Sequence, residues 1–406
     1  MSKYGKQIVG GVLPLFVLLI CVCTSDLKAQ VFLDFDEFDD RLNELASAVG
    51  ITSFSAAEIS GIQSTIESSL ESSFADFSGI TFSDVDPGGV RSELIFGDIG
   101  GGLGVAQHID FLNRDLNDTA FVFSGNFGFI VDEFSGSTQR ADQIMQLSAA
   151  ISGTAAHELG HNLGLRHHDA HGNLVFEGAT INTGGDEDLR LLSTGSTGLS
   201  EMQREQTRDF SINSQVKLAY ANTSIVSGNP TALLEDGDAG DTLATAQAIT
   251  FEEIPVADRF GEVIIGELEV DADVDLFEVQ LVGGSQFTID VNNDFSSGFN
   301  NDPVDTVISL LDDSGNVLFT NDDTLYSATE FGTGTLRSTD SVLYNVGIVD
   351  TGTYFVQIES FGASDSGDYQ LLLHSDQLFA IPEPTGGLLI LGALGCVAAR
   401  RRRRRS

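Results

Sequence analysis

Five residues at fixed spacing within eleven positions constrain this chain more than any other feature. They are His157, Glu158, His161, Gly164 and His167. A helix places His157 and His161 on one face, one turn apart, with Glu158 beside the first of them. Gly164 lets the chain leave that helix through a left-handed turn, which brings His167 round as a third imidazole. Three imidazoles that leave one coordination position open are typical of a catalytic Zn²⁺ site.

The full pattern H-E-x-x-H-x-x-G-x-x-H resembles the zinc signature of the metzincin metallopeptidases. The resemblance implies an α+β catalytic domain with a twisted mixed sheet and long helices. It also implies a zinc endopeptidase that acts on a protein or peptide substrate. In that family pattern His157, His161 and His167 bind Zn²⁺, and Glu158 is the general base for a zinc-activated water.

A catalytically idle zinc-binding adhesin or envelope matrix protein is the alternative hypothesis. Five of the chain's 7 histidines lie between His157 and His171, which favours a metal site under either hypothesis. The intact Glu158 favours the peptidase, because a binding protein needs no base beside the metal.

The residue beneath the metal departs from the metzincin pattern, which places a methionine-containing turn there. Met202 follows the motif, but residues 200–203 have the spacing of a helix N-terminus. Leu192, in the turn-like segment 191–195, is the other candidate, since leucine supplies a similar apolar volume. The sequence alone leaves Leu192 and Met202 open for this position.

The N-terminus has the composition of a secretory signal peptide over residues 1–29. It begins with Lys3 and Lys6, continues with an apolar stretch and offers Ala29 as a cleavage residue. An uncleaved anchor is the alternative. Cleavage is favoured because the apolar run is short and polar residues follow it.

The C-terminal residues 382–405 begin with Pro-Glu-Pro, continue with an apolar stretch at 386–399 and end with six arginines. This order resembles the PEP-CTERM sorting signal of bacteria that export envelope and matrix proteins. The resemblance implies an exported protein of the cell envelope or extracellular space, which meets export machinery and a sorting protease. The apolar stretch is short for a permanent transmembrane helix and predicts transient membrane association, with a simple tail anchor as the alternative.

The charge of the chain excludes nucleic acid as a partner. Its formal net charge is −40, from 60 acidic and 20 basic residues. Removing residues 1–29 and those beyond Pro384 takes away nine basic residues and one acidic residue, so the remaining body holds 11 basic and 59 acidic residues. Such a surface repels phosphate backbones. All 3 cysteines also lie in the targeting segments, so the body folds without disulfides.

The first block, residues 30–227, alternates strand and helix patterns, which predicts a mixed α/β layer. Strands are predicted at 31–35, 80–82, 93–96 and 119–123, and helices at 56–77 and 142–163. The glycine-rich segment 100–108 is either an edge strand that binds extended substrate or a plain loop.

A linker is predicted at 228–235, where asparagine, proline and glycine interrupt the pattern. Residues 236–376 follow, and their alternating stretches separated by turn signals predict an all-β sandwich. Because the zinc motif is confined to the first block, we expect residues 30–227 to fold and cleave without the sandwich.

The second block resembles the bacterial pre-peptidase C-terminal domain, notably in segments 273–277 and 305–323. The resemblance implies an accessory module of a secreted peptidase, with no chemistry of its own. Asp271, Asp273 and Asp275 either bind Ca²⁺ through oxygen ligands or are ordinary solvated loop ends.

Overall fold

The computed structural model describes most of the body between the two targeting segments. The described residues are 29–77, 79–97, 100–131, 139–170, 190–193, 201–221, 232–235, 237–292, 304–322, 340–363 and 365–379. The predicted signal peptide, apart from Ala29, and the predicted sorting segment 382–405 lie outside them. Within these stretches, no helix is both long and apolar enough to cross a bilayer.

The described residues form helices and strands in both blocks. The α-helices are α1 (Phe38–Val49), α2 (Ala56–Ser73), α3 (Gly128–Val131), α4 (Gln139–Asn162), α5 (Glu201–Arg204) and α6 (Ile212–Tyr220). The strands of the first block are β1 (Ala29–Asp34), β2 (Ile80–Ser83), β3 (Ser92–Phe96), β4 (Gly104–Ala106) and β5 (Thr119–Val122). The strands of the second block are β6 (Leu233–Leu234), β7 (Gln247–Ala248), β8 (Glu252–Ile254), β9 (Arg259–Leu268), β10 (Val274–Leu281), β11 (Gln286–Val291), β12 (Thr306–Leu311), β13 (Val317–Asn321), β14 (Val342–Gly347), β15 (Gly352–Ser360) and β16 (Gly367–Ser375).

The first block is built on a five-stranded mixed sheet with the order β2-β1-β3-β5-β4. β1, β2, β3 and β5 are parallel, and β4 alone runs antiparallel, against β5. The four predicted strands are confirmed. The segment 100–108 is confirmed to contain an edge strand, because β4 closes one side of the sheet.

Helices α2 and α4 pack on this sheet and on each other. α2 begins with a capping box, in which the Ser55 hydroxyl accepts from the Glu58 amide and the Glu58 carboxylate accepts from the Ser55 amide. Its apolar side chains lie along one face and are buried, among them Ile59, Ile62 and Ile66. α4 carries the zinc motif at its C-terminal end, so the sheet and α2 fix the position of the motif.

The second block contains two sheets of five and six strands. Their orders are β13-β12-β15-β10-β7 and β14-β11-β16-β9-β6, and β8 also pairs with β9. Side chains from both sheets form one buried cluster that includes Phe277, Phe287 and Tyr369. Two facing sheets around a shared core are the architecture of a β-sandwich, as the sequence predicts.

The predicted linker boundary is wrong at its C-terminal end. Leu233 and Leu234 were assigned to a linker at 228–235, but they form β6 and pair in parallel with Ile264 and Ile265 of β9. The sequence signal misled because both leucines are exposed, so they show no alternation of buried and solvated positions.

A buried apolar cluster joins the two blocks. Phe111 and Val216 of the first block pack with Ile254 and Val263 of the second. Removing the second block would expose these side chains to water, at a cost that grows with apolar area. This shared core argues against the expectation that residues 30–227 fold on their own.

Candidate metal centre

The three histidines of the motif converge on one point. His157 and His161 project from the last turns of α4, and His167 lies five residues after the helix ends at Asn162. Their Nε2 atoms lie 3.0 Å apart for His157 and His167, and 3.1 Å apart for each of the other two pairs. Ligands held about 2.0–2.1 Å from a tetrahedral zinc lie about 3.3–3.4 Å apart, close to this spacing.

The hydrogen bonds of the outer ring nitrogens fix which atoms face the centre. His157 Nδ1 lies 2.6 Å from the Leu191 carbonyl oxygen, and His161 Nδ1 lies 2.7 Å from that of Leu165. Both partners are acceptors, so each Nδ1 carries the hydrogen and each Nε2 presents a lone pair. Lone pairs converging in a buried site repel one another unless a cation lies between them, so these residues fit a divalent metal ion.

Burial keeps two of these imidazoles neutral. Desolvation lowers the pKa of His157 well below its usual range, and it lowers the pKa of His161 to about 4. Neutral imidazole is the form that binds metals. These two imidazoles can therefore bind a metal at neutral pH without first losing a proton.

Gly164 supplies the turn that delivers His167. Its φ angle is +91°, and a Cβ there would lie 2.4 Å from the Cα of Phe111 and 2.8 Å from the carbonyl oxygen of Asp110. The glycine is required twice, once for the left-handed backbone and once for the close approach of a neighbouring segment. The sequence predicts the first reason but not the second, because residues 110 and 111 are distant in the chain.

Glu158 lies buried beside the histidines and against the edge strand β4. Burial raises its pKa to about 8, and a hydrogen bond from the Ala106 amide opposes this rise. A Cβ at Gly104 would lie 2.7 Å from both Cγ and Oε1 of Glu158. Gly104 and Ala106 thus set the position of the carboxylate, and the sequence alone does not reveal either role.

The outer edge of β4 offers backbone groups beside Glu158. The Gln107 amide donates to Thr119 and the Phe123 amide donates to Leu103, so odd-numbered positions of this strand pair with β5. In a strand the backbone N–H and C=O groups of successive residues point to opposite edges, so those of Gly104 and Ala106 point away from β5. Among the described strands none pairs with that side.

The turn beneath the motif contains Leu192, which resolves the alternative left open by the sequence. Leu192 is fully buried, and its Cδ2 lies 3.5 Å from the position of a Cβ on Gly160. Met202 lies on the short helix α5, and 71% of its surface is exposed. The adjoining Leu191 carbonyl is the acceptor for His157, so this turn supports the site both sterically and by hydrogen bonding.

The residues that flank His167 are tied to the second block. Arg166 forms a buried ion pair with Asp340 of the sandwich. Asp169 is fully buried and accepts a hydrogen bond of 2.7 Å from the Arg166 amide. Its other carboxylate oxygen lies 2.8 Å from the ammonium of Lys217. The loop that carries His167 is thus held from both sides.

The ammonium group of Lys217 is fully satisfied without solvent. It lies 2.8 Å from Asp169, 2.8 Å from Asp290 and 2.7 Å from the Asn292 side-chain oxygen. These three acceptors match its three N–H donors. The Tyr344 hydroxyl also donates to Asp169, at 2.9 Å. The sandwich therefore contributes three polar side chains to a cluster that begins two residues after a predicted metal ligand.

The predicted acidic group of the sandwich has a different membership. Glu269, Asp273 and Asp275 bring carboxylate oxygens within 4.8 Å of one another, and Asp271 is not among them. Asp273 accepts from the Glu269 amide at 2.8 Å, and Asp275 accepts from the Tyr369 hydroxyl at 2.7 Å. Asp273 and Asp275 are buried, so neither is a solvated loop end, and these bonds give both a structural role.

Comparison with known proteins finds only partial structural similarity. No protein-family model matches the chain, and no curated protein matches it. PliG of Aeromonas hydrophila, a periplasmic inhibitor of g-type lysozyme, is similar over 32% of this chain and 94% of its own, with 10% identity and a TM-score of 0.22. PliG of Salmonella Typhimurium covers 32% and 95%, with 12% identity and a TM-score of 0.19.

The pre-peptidase C-terminal domain of a collagenase from Bacillus anthracis is similar over 28% of this chain and 88% of its own. The identity is 16% and the TM-score is 0.19. This weak similarity concerns the domain type that the sequence of the second block resembles. At these TM-scores none of the three similarities carries an argument about activity.

Proposed function

We propose that this protein is an exported zinc-dependent endopeptidase. The observation that supports it best is the convergence of three histidine Nε2 atoms beside the buried side chain of Glu158. His157, His161 and His167 would hold the metal, and Glu158 would act as the general base. An idle zinc-binding matrix protein would need the histidines but not the carboxylate.

Bound Zn²⁺ would act as a Lewis acid and would make a water more acidic. Glu158 then takes a proton from the attacking water and passes it to the leaving amine. Burial raises the pKa of Glu158 above that of an ordinary carboxyl, which makes its carboxylate a stronger proton acceptor. The Ala106 amide holds the carboxylate in place for this transfer.

The substrate would bind as an extended strand along the outer edge of β4. The backbone groups of Gly104 and the carbonyl of Ala106, which face away from β5, would pair with it by strand addition, while the Ala106 amide stays bonded to Glu158. This arrangement places a peptide bond next to Glu158. The mode depends on backbone groups, so it favours unfolded or extended segments of protein substrates.

The two ends of the chain would direct its export and its sorting to the cell envelope. The predicted signal peptide at 1–29 and the sorting segment at 382–405 would lead the chain through export machinery to a sorting protease. The body would then act in the cell envelope or outside the cell, with membrane association limited to transit. The sandwich would be an accessory module that supports the first block through its contacts with Lys217 and Asp169 of that block.

Digestion of a peptide library, with metal analysis of the same samples, tests the proposal. The protein should bind about one zinc and cleave peptides, and Glu158→Gln should retain zinc but lose activity by roughly 100-fold or more. Glu44→Gln, an exposed change on α1, is the matched control and should cleave normally. Zinc binding without any cleavage by the parent would favour the idle matrix protein, and undiminished cleavage by Glu158→Gln would exclude the assigned base.

A further inference from the structure

A cleft lies between α4 and α2, at the helical turn of α4 that precedes His157. It has a volume of about 450 Å³ and is lined by serines of α2, by Ser152 and Gly153 of α4, and by the segment around Arg208. The zinc-peptidase proposal assigns no role to this cleft. The lining includes the guanidinium group of Arg208.

Arg208 is buried without a counter-ion. It is only 4% exposed, and it forms no ion pair with any residue that the structure describes. Its Nη1 donates one long hydrogen bond of 3.5 Å to the Leu191 carbonyl, and its Nε has no partner. Leaving a buried charge unpaired is costly, so a guanidinium in this position indicates that an anion completes it.

The acidic residues next to Arg208 in the sequence do not supply that anion. Glu205 accepts a hydrogen bond of 2.9 Å from Gln146, and Asp209, which also lines the cleft, is exposed and forms no ion pair with Arg208. Four other arginines of the described body have carboxylate partners, namely Arg41, Arg91, Arg140 and Arg166. The body has 59 acidic and 11 basic residues, so a buried arginine that pairs with no described carboxylate is unusual in it.

The walls of the cleft are suited to an oxyanion. Gly153 leaves the space that the guanidinium fills, since a Cβ there would lie 2.7 Å from Nη2 of Arg208. Ser69 and Ser73, one turn apart on α2, add hydroxyl donors to the lining. A guanidinium with hydroxyl groups around it is the donor set that recognises carboxylate, sulfate and phosphate.

We propose that this cleft is a binding site for a small oxyanion, with Arg208 as its central donor. The chemistry is shared by inorganic sulfate or phosphate and by the carboxylate of an acidic peptide. The site adjoins the metal centre, because the Leu191 carbonyl accepts from both Arg208 and His157. It does not depend on whether the protein is a peptidase.

Calorimetric titration and thermal unfolding of the purified protein test this site. Sulfate, phosphate and acetate at low millimolar concentration are compared with chloride at equal ionic strength, because sulfate and phosphate at high concentration stabilise proteins generally. At least one oxyanion should bind saturably and raise the Tm beyond chloride. Binding of sulfate or phosphate identifies the inorganic source, and binding of acetate alone identifies the carboxylate.

Two variants and two controls decide the role of Arg208. Arg208→Met should abolish the oxyanion-specific rise in Tm, whereas Arg91→Met, which removes a charge elsewhere, should keep it. Gly153→Ala should weaken binding by roughly tenfold or more because the methyl group displaces the guanidinium, while Gly61→Ala, with open space around it, should not. If Arg208→Met does not fold, the comparison of Gly153→Ala with Gly61→Ala still tests the site.

The proposal is overturned by any of three results. These are the absence of saturable oxyanion binding, chloride binding as tight as that of the oxyanions, or equal oxyanion binding by the parent and Arg208→Met.

Discussion

Lys217 on α6 lies 2.8 Å from Asp290 on β11, and neither side chain reaches solvent. The pair joins the first block to the sandwich. Asp169 shares the same ammonium, also at 2.8 Å, and follows the predicted ligand His167 by two residues. A buried pair of this kind fixes how two surfaces dock, because a displaced docking would strand a charge in the interior.

Removing the lysine should destabilise the whole protein. Lys217→Met would leave Asp169 and Asp290 buried without their cation, which typically costs about 3–5 kcal/mol. Denaturant titration of the metal-free protein measures the loss in free energy of unfolding. Arg41→Met, which removes a surface ion pair with Glu37 and Glu44, is the control. A loss no greater than that of the control would mean that the two carboxylates find other partners or become protonated.

The first block should not fold when it is produced alone. Residues 30–227 would expose Phe111 and Val216, and they would leave Arg166 and Lys217 without Asp340 and Asp290. We expect an insoluble fragment or one without a cooperative unfolding transition. Circular dichroism during thermal unfolding of the fragment and of the complete body provides the comparison. A soluble fragment with a sharp transition would show that the shared interface is dispensable.

The sequence predicts that the three histidines lie together because their spacing is local. One helix and one turn bring His157, His161 and His167 together, and both follow from residues within eleven positions. The predicted strands and the two long helices are confirmed for the same reason, since their periodicity is read within each segment. The order in which strands pair was not predicted, because it depends on contacts between distant segments.

The groups that support the ligands could not be predicted from the sequence. The Leu191 carbonyl reaches His157 across 34 positions, and backbone acceptors leave no mark in side-chain patterns. Lys217 and Asp290 are charged residues, which patterns place on the surface by default. Their burial becomes apparent only when both blocks are seen docked. Leu192 was weighed against Met202, and only the burial of the leucine separates the two.

Gly104 should be essential for catalysis but not for metal binding. In Gly104→Ala the new methyl group would overlap Oε1 of Glu158, which lies 2.7 Å from the Cβ position. Displacing a catalytic group by about 1 Å can cost on the order of 100-fold in rate. We expect kcat/KM to fall by about that factor while zinc content is unchanged.

Gly101→Ala is the matched control for this change, because no atom lies within 4 Å of its Cβ position. Its kcat/KM should equal that of the parent. Normal cleavage by Gly104→Ala would mean that Glu158 does not act from the position seen here.

His374 on β16 should make the protein sensitive to acid. It is 1% exposed, and neither ring nitrogen has a hydrogen-bond partner among the described residues. Burial, followed by the nearby charges of Arg259 and Lys217, lowers its pKa to about 3. The unfolded chain takes up this proton near pH 6.5 and the folded chain does not. Stability from this group is therefore complete above pH 6.5 and is lost as the pH falls toward 3, by up to about 1.4 kcal/mol per pH unit.

The variant His374→Leu isolates this contribution because it cannot take up the proton. Its free energy of unfolding should decline less steeply than that of the parent between pH 6.5 and pH 4, when both are measured metal-free by denaturant titration. His108→Leu, at a partly exposed position, should follow the parent over the same range. Carboxylates contribute to acid unfolding in all three proteins, so the difference in slope between His374→Leu and the parent is the quantity of interest. Parallel curves would show that His374 finds a hydrogen-bond partner or reaches water in the folded protein.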